Sequence, residues 1–438
     1  MKQSGEPSAI PCIKCKGSNP ANCGRTFCPI VAKAEAMFKV NTGAGLTGLK
    51  EDFSTAAPAP FVGRFGYPHI NVGILAPQVM KLGKFSDAAF YDAPKEWALQ
   101  NLGVTDVVNL RSALINSRFK AEIKSPVMSS RTEKKFLEIS QEVGMASKPV
   151  EIELKLSQKP VFRIDYNADT APHGPRGTLK DAMITSNPKI DSRVDKVVSD
   201  SDLKATAGIV SLYDKGFDEN FLSKMLSVGT LGMKKDRKLV PTRWSITATD
   251  DMLAKHLLDE IKGFSQSSQG HTAYFGGYLG NYYIVLMFPG PWSYELFEMY
   301  LPHANWNPTT EIQYSTDNEG YAGRKDYAAN TQGGYYAARL GIVEKMHDNK
   351  QQASVLALRF ITGEYAIPLG VWVVREATRK AMQARPIEFG SKELMMKYAE
   401  VLVKKKFGVE GGRIMERAMK ESVMIRERRM QRRLDNYT

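Results

Sequence analysis

Every cysteine of this 438-residue chain lies in one short segment near its start, PCIKCKGSNPANCGRTFCP, as Cys12, Cys15, Cys23 and Cys28. The spacing is C-x2-C, seven residues, then C-x4-C, and none follows from Pro29 onward. A segment this short cannot bury a core, so what it folds into depends on what its thiols bind. Four soft thiolates suit a structural zinc ion, which accepts a tetrahedral set of four cysteines. Gly17, Pro20 and Gly24 supply turns, and Lys14, Lys16 and Arg25 offset the thiolate charge. Two other readings stand beside zinc. An iron–sulfur cluster is one, although the spacing follows neither common ferredoxin pattern. Two disulfides are the other; they suit a small secreted domain, whereas this chain is long and has no visible signal peptide. Zinc leads, and its role is to staple an N-terminal module.

The remainder is long enough for two domains or more, and 43% hydrophobic with 10% aromatic residues is a globular composition. The longest apolar run, Tyr282 to Phe288, is too short to span a bilayer, so no membrane partner is expected. A formal net charge of +13 points to an anionic partner such as DNA. The charge concentrates near the end: residues 413–433 hold eight Arg or Lys against three Glu, an excess of five. Cysteine use and the lack of a visible targeting segment suggest a reducing compartment, with the protein cytoplasmic and nucleoid-associated.

Periodicity divides the chain into a zinc module at 1–30, an N-terminal α/β part at 31–235, a C-terminal α/β part at 236–410, and a basic helix with tail at 411–438. The fold class expected is a mixed α/β or α+β body of sheets and helices between that module and that helix. PFVGRFGYPHINVGILAP alternates apolar and polar residues and predicts a strand pair. EIELKLSQKPVFRIDYN predicts strands on both sides of Lys159-Pro160. Asp92 to Leu102 predicts a short helix with Trp97 and Leu99 inward, and Lys134 to Val143 another. Asp218 is placed to cap a helix that ends at Gly229. LVPTRWSITATDD predicts a strand running into a helix that begins near Asp250. A hairpin and one very apolar strand are expected between His271 and Tyr300, and helices at about 333–347 and 391–406. Between those helices the pattern predicts a strand, a loop at Pro368-Leu369-Gly370, a second strand and a helix.

The sequence has no Walker A loop, no G-x-S-x-G elbow and no H-E-x-x-H helix. Two segments mix charge with aromatics. In VPTRWSITATDD, Arg243 and Trp244 offer a guanidinium and a ring to a phosphate and a base, and Asp250 and Asp251 offer carboxylates. In TGEYAIPLGVWVVREATRKA, Glu364, Arg375 and Glu376 flank a Pro-Gly turn, and Arg375 is a candidate contact to nucleic acid. The plain reading of the first is a strand before a capped helix, and of the second a buried ion pair closing a turn. If Asp250 or Asp251 met Glu364 or Glu376, they would hold Mg2+ or Mn2+ for phosphodiester hydrolysis. HGPRG at 173–177 reads as a surface loop or an anion cradle.

The last eight residues, QRRLDNYT, set Gln431, Leu434 and Tyr437 at three-residue intervals. A helical turn gathers them on one side, the form of a peptide that fills an apolar pocket on a partner. The basic helix before it, with Arg428 and Arg429, steers toward an acidic or nucleic-acid-loaded partner. A solvated, frayed terminus is the plain alternative.

These features together resemble the archaeal Nre family of DNA repair proteins, in its NreA type. The cysteine cluster, PFVGRFGYPHINVGILAP, LVPTRWSITATDD and the terminal Q-x-x-L-x-x-Y carry the resemblance over nearly the whole chain. It implies a DNA-damage role, a zinc finger on Cys12, Cys15, Cys23 and Cys28, and a motif for the sliding clamp (PCNA) at Gln431, Leu434 and Tyr437. That motif usually ends in two aromatics, and here the eighth position is Thr438. The leading expectation is a repair factor brought to DNA by the clamp. A metal-dependent nuclease or other phosphoester hydrolase, and a non-catalytic DNA-binding scaffold, are the alternatives.

Overall fold

The computed structural model describes residues 12–18, 28–43, 48–78, 86–124, 130–168, 170–266, 270–302, 304–307, 309–408 and 411–435, the side chains of 43, 411, 412, 429 and 431–435 excepted. The described chain is mixed α/β with two six-stranded sheets. It divides into two compact units. The first holds Cys28–Leu253 with Ile367–Leu369, and the second Ala254–Ala366 with the residues from Gly370 onward. No helix among the described residues is long and apolar enough to cross a membrane.

The first unit is built on β1 (Asp52–Ala57), β2 (Ala59–Val62), β3 (His69–Pro77), β4 (Leu114–Glu122), β5 (Val150–Leu156) and β6 (Arg176–Ile184). Their order is β1-β5-β6-β4-β3-β2, and only β4 and β6 run parallel. The expected strand pair is β2 and β3, which match Ala59 to Leu75 and Val62 to Val72. Period two decides the faces: Ile70, Val72, Ile74 and Ala76 of β3 all point into the core, none more than 0% exposed. β5 alternates in the same way, with Val150, Ile152, Leu154 and Leu156 inward. Helix Arg131–Met145, capped by Ser130, covers this face with Phe136, Leu137, Ile139 and Val143. Full burial of an aliphatic or aromatic side chain of this size contributes about 1.5–3 kcal/mol. The Thr55 hydroxyl donates to the Pro77 carbonyl, so edge strand β1 returns to β3 and the sheet curls.

Asp218 caps helix Glu219–Ser227 through a 2.8 Å bond from the Phe221 amide. Three expectations for this unit need correction. Leu99 is 63% exposed, and of that pair only Trp97 enters the core. The residues after Lys159-Pro160 form no strand beyond an isolated bridge from Val161 to Arg176. The run 239–251 is not a strand: helix Thr242–Ile261 begins directly after Pro241, so Asp250 stands mid-helix. Proline sets the first turn, and burial of Ser245, Thr249 and Leu253 along one side overrides the β-propensity of the threonines.

The second unit holds β7 (His271–Tyr278), β8 (Asn281–Phe288), β9 (Ser293–Tyr300), β10 (Gln313–Glu319), β11 (Ser354–Ile361) and β12 (Ile387–Phe389). The order is β10-β9-β11-β8-β7-β12, with β11 parallel to β9. β11 is central and buried at every position, which explains its unbroken apolar run. Leu356, Leu358 and Phe360 pack with Met395, Ala399 and Val403 of helix Lys392–Phe407, and with Met415, Met424 and Ile425 of the helices that end the chain. The second strand expected at VWVV is instead the start of helix Trp372–Gln383.

Candidate nucleic-acid interface

Arg243 and Trp244 occupy the first turn of helix Thr242–Ile261, in the first unit. Both are exposed, Trp244 at 49%. The helix start is fixed by Thr242, whose hydroxyl accepts from the Val62 amide at 2.9 Å. That bond ties it to the end of β2, where the chain crosses to β3 through Gly63–Pro68. The crossing carries two further exposed aromatics, Phe65 at 73% and Tyr67 at 49%. The Tyr67 and Trp244 rings lie 6.0 Å apart at 32°. Partial burial raises the Tyr67 hydroxyl above its ordinary 10.0, so the ring is neutral at physiological pH.

Gly66 makes this crossing possible. Its φ is +95°, and a Cβ there would stand 2.8 Å from the His69 carbonyl oxygen. The Lys120 Nζ lies 3.6 Å from that same point. The Arg64 guanidinium stands over the Phe65 ring at 4.7 Å. Arg118, two residues before Lys120 on the same face of β4, lies 5.9 Å from the Phe61 ring. A single face therefore presents Phe65, Tyr67 and Trp244 among Arg64, Lys120 and Arg243. Exposed rings set among cations fit bases and phosphates together.

The other expected site residues stand elsewhere. Asp250 is 0% exposed and Asp251 partly buried on the same helix in the first unit, while Glu364 and Glu376 belong to the second. Glu364 accepts from the Tyr282 hydroxyl at 2.9 Å. Glu376 lies 2.7 Å from Arg379, which also grips Glu344. Among the described residues no three His, Cys, Asp or Glu side chains converge as metal ligands do. Arg375, expected at a nucleic-acid surface, is 2% exposed and lies 3.8 Å from Glu376; burial withdraws it. Arg428 is likewise engaged inside the second unit. It donates to Ser354 Oγ and to the Pro289 carbonyl, both at 2.6 Å, and so ties the last helix to the sheet.

Cys12 and Cys15 form a four-residue helical turn, and Cys28 immediately precedes helix Pro29–Gly43. Lys16 and Gly17 turn the chain with φ of 52° and 81°. A Cβ on Gly17 would lie 3.3 Å from Val31, so this turn packs on the helix that Cys28 precedes. The donor chemistry fits zinc, although the three described thiols are not gathered into one ligand set. Cys23 and Tyr437 lie outside the described residues, as do the side chains of Arg429, Gln431 and Leu434. The backbone of Gln431 and Leu434 belongs to helix Val423–Asp435.

Sequence reasoning singled out Arg243 and Trp244 but missed Phe65, Tyr67 and Lys120. The signal was present in GRFGYP, where two aromatics flank a glycine with nothing apolar opposite them.

Residues 22–307 match the family described as Archaeal Nre, N-terminal, and residues 319–437 match Archaeal Nre, C-terminal. The chain is 36% identical over 335 residues to the DNA repair protein NreA of Haloferax volcanii, covering 76% of this chain and 78% of that one. It is 31% identical over 389 residues to the DNA repair protein NreB of Archaeoglobus fulgidus, covering 89% and 92%. With the NreA of the same organism it shares 33% over 386 residues, 87% and 91%. No solved structure matches.

Proposed function

We propose, on the premise that this chain belongs to the archaeal Nre family, that it is a DNA repair factor that holds DNA on the aromatic and basic face of its first unit. The observation that carries this reading is the exposed pair Tyr67–Trp244, 6.0 Å apart and bordered by Arg64, Lys120 and Arg243. Such rings stack on bases of any sequence, and the cations follow the backbone. Recognition of this kind suits damage, where bases are unpaired and sequence is arbitrary. Fluorescence anisotropy with single-stranded and duplex oligonucleotides tests it. Trp244→Ala and Tyr67→Ala should each weaken binding to single strands; affinities equal to the parent's would reject the face.

Recruitment is the second part of the proposal. Gln431, Leu434 and Tyr437 form a peptide for the sliding clamp (PCNA), and the backbone of the first two belongs to the helix Val423–Asp435. With Thr438 in place of a second aromatic, one anchor is lost and the peptide is a weak one. Tethering makes a weak contact sufficient, because it raises the local concentration of the body at DNA. Removal of residues 431–438 should abolish clamp binding in a titration and leave the circular dichroism spectrum unchanged.

Zinc at Cys12, Cys15, Cys23 and Cys28 completes the proposal, as a structural ion that orders the N-terminal segment. Native mass spectrometry should show one zinc per chain, absent after Cys12→Ser. No observation favours the nuclease reading over this one.

A further inference from the structure

We propose that β4 and β6 form, beside the aromatic face, a pocket for a single phosphoryl group, made by Arg118, Arg176 and Asn116 and braced by His173. Asn116 and Arg176 are register partners across the parallel pair β4–β6, and Arg118 follows Asn116 by two residues on the same face. HGPRG thus contributes a side chain rather than a backbone cradle. Its Pro175 carbonyl accepts from the Asn116 amide at 2.9 Å, which sets the position of Arg176 beside β4.

His173 aims Arg176. The His173 Nδ1 lies 2.9 Å from the Gly174 carbonyl and its Nε2 lies 2.8 Å from the Arg176 guanidinium. The imidazole therefore donates from Nδ1 and accepts at Nε2, which requires the neutral ring. Burial keeps it neutral by pushing its pKa down, and both arginines add to that effect.

Among the described residues no carboxylate pairs with either arginine, and the buried Arg118 Nε has no hydrogen-bond partner. Burial and the neighbouring Arg176 lower Arg118 to about 10. Asn116 is 6% exposed, and its side-chain oxygen has no partner either. It lies over Gly73, the residue beside Arg118 on β3, where a side chain would displace it. Two guanidiniums and an amide held together without a counter-charge are unfavourable until an anion arrives. Guanidinium forks match phosphate oxygens in pairs, and a terminal phosphate carries close to two charges where a phosphodiester carries one. The Phe61 ring beside Arg118 offers a flat surface to the attached nucleoside. The group is thus a phosphate monoester, supplied by a DNA end or by a free nucleotide. Only the DNA source rests on the function proposed above.

Isothermal titration of the full chain with AMP and with one single-stranded oligonucleotide, bearing either a terminal phosphate or a hydroxyl, tests the pocket. AMP should bind, and the phosphorylated strand should bind about tenfold more tightly than the hydroxyl strand, as one well-placed charged hydrogen bond gives. Arg176→Gln, at an exposed position, and Arg118→Gln should each erase that tenfold difference and weaken AMP. Trp244→Ala should weaken both strands by the same factor and keep the difference. AMP binding with no oligonucleotide binding supports the pocket, with a nucleotide as its source, and refutes the DNA face. AMP affinity unchanged in both arginine variants, or no AMP binding and equal affinity for the two strands, overturns the pocket.

Discussion

Glu295, on the second strand of its sheet, is the cap of the last helix: its carboxylate accepts from the Ser422 hydroxyl at 2.6 Å and from the Met424 amide at 3.0 Å. The Val423 amide adds a third bond at 3.2 Å. A fully buried anion at a helix N-terminus satisfies donors that the helix itself leaves unpaired. The helix it fixes is the one that carries the proposed clamp peptide.

Glu295→Ala should therefore loosen this helix at a cost of about 1.5–3 kcal/mol, the range for hydrogen bonds to a charged group. Hydrogen exchange of residues 423–430 should rise while that of β8 and β11 does not. Equal protection in parent and variant would refute the capping role.

Glu295 also sets a pH dependence. Burial raises its pKa above the ordinary 4.5, against the opposing effect of its hydrogen bonds. The folded state then holds this proton more tightly than the unfolded state. Its stabilising contribution is full below the ordinary glutamate value and is lost as pH rises through the raised one. The Tm of the parent minus that of Glu295→Gln should fall across that interval. A flat or rising difference contradicts the shift.

Arg339 and Glu319 form a pair 2.7 Å apart with side chains 1% and 0% exposed, and Trp292 Nε1 donates to the same carboxylate at 3.1 Å. Removing one partner strands a charge in the core, so Arg339→Met should cost about 3–5 kcal/mol in urea unfolding of the second unit. The double variant Arg339→Met/Glu319→Leu should recover much of that loss. A double variant as unstable as the single one would show that the packing around Tyr335 and Tyr336 matters more than the charge.

Leu279 and Gly280 form the turn between β7 and β8, with φ of 48° and 73°. A Cβ at 280 would stand 2.8 Å from the Glu364 backbone carbon. Gly280→Ala should destabilise by about 1–3 kcal/mol, whereas Leu279→Asn, which suits the left-handed region, should stabilise. Thermal unfolding of both reads the contrast, and a neutral Gly280→Ala would mean that the neighbouring loop yields.

On the proposed DNA face, Lys120→Ala should reduce the salt slope of binding by about one, and Trp244→Ala should cost about 1–3 kcal/mol at unchanged slope. Anisotropy over a range of salt separates the two. A slope change in the tryptophan variant would place its role outside stacking.

Where burial follows a strict local period, the sequence was sufficient. Ile70, Val72, Ile74 and Ala76 alternate because one face of β3 meets the core, and Asp218 caps because a carboxylate there answers open helix amides. Where local propensity and burial disagree, it was not. VPTRWSITATDD and VWVV are rich in β-branched residues, and both are helical because their buried sides run at helical spacing. Arg375 and Arg428 looked like surface cations, and carboxylate, hydroxyl and carbonyl partners distant in sequence draw them inward.

The four-cysteine cluster, the segments PFVGRFGYPHINVGILAP and LVPTRWSITATDD and the terminal Q-x-x-L-x-x-Y are local patterns, so the chain order by itself determined them and, through them, the family. The face of Tyr67, Trp244 and Lys120 and the proposed pocket of Arg118, Arg176 and Asn116 were decided only by tertiary structure. Their members come from separate strands, a crossing loop and a helix start, and they meet because strand register and the bond from Val62 to Thr242 bring them to one side of a curled sheet. Register depends on pairing across long stretches of chain, which no local spacing records.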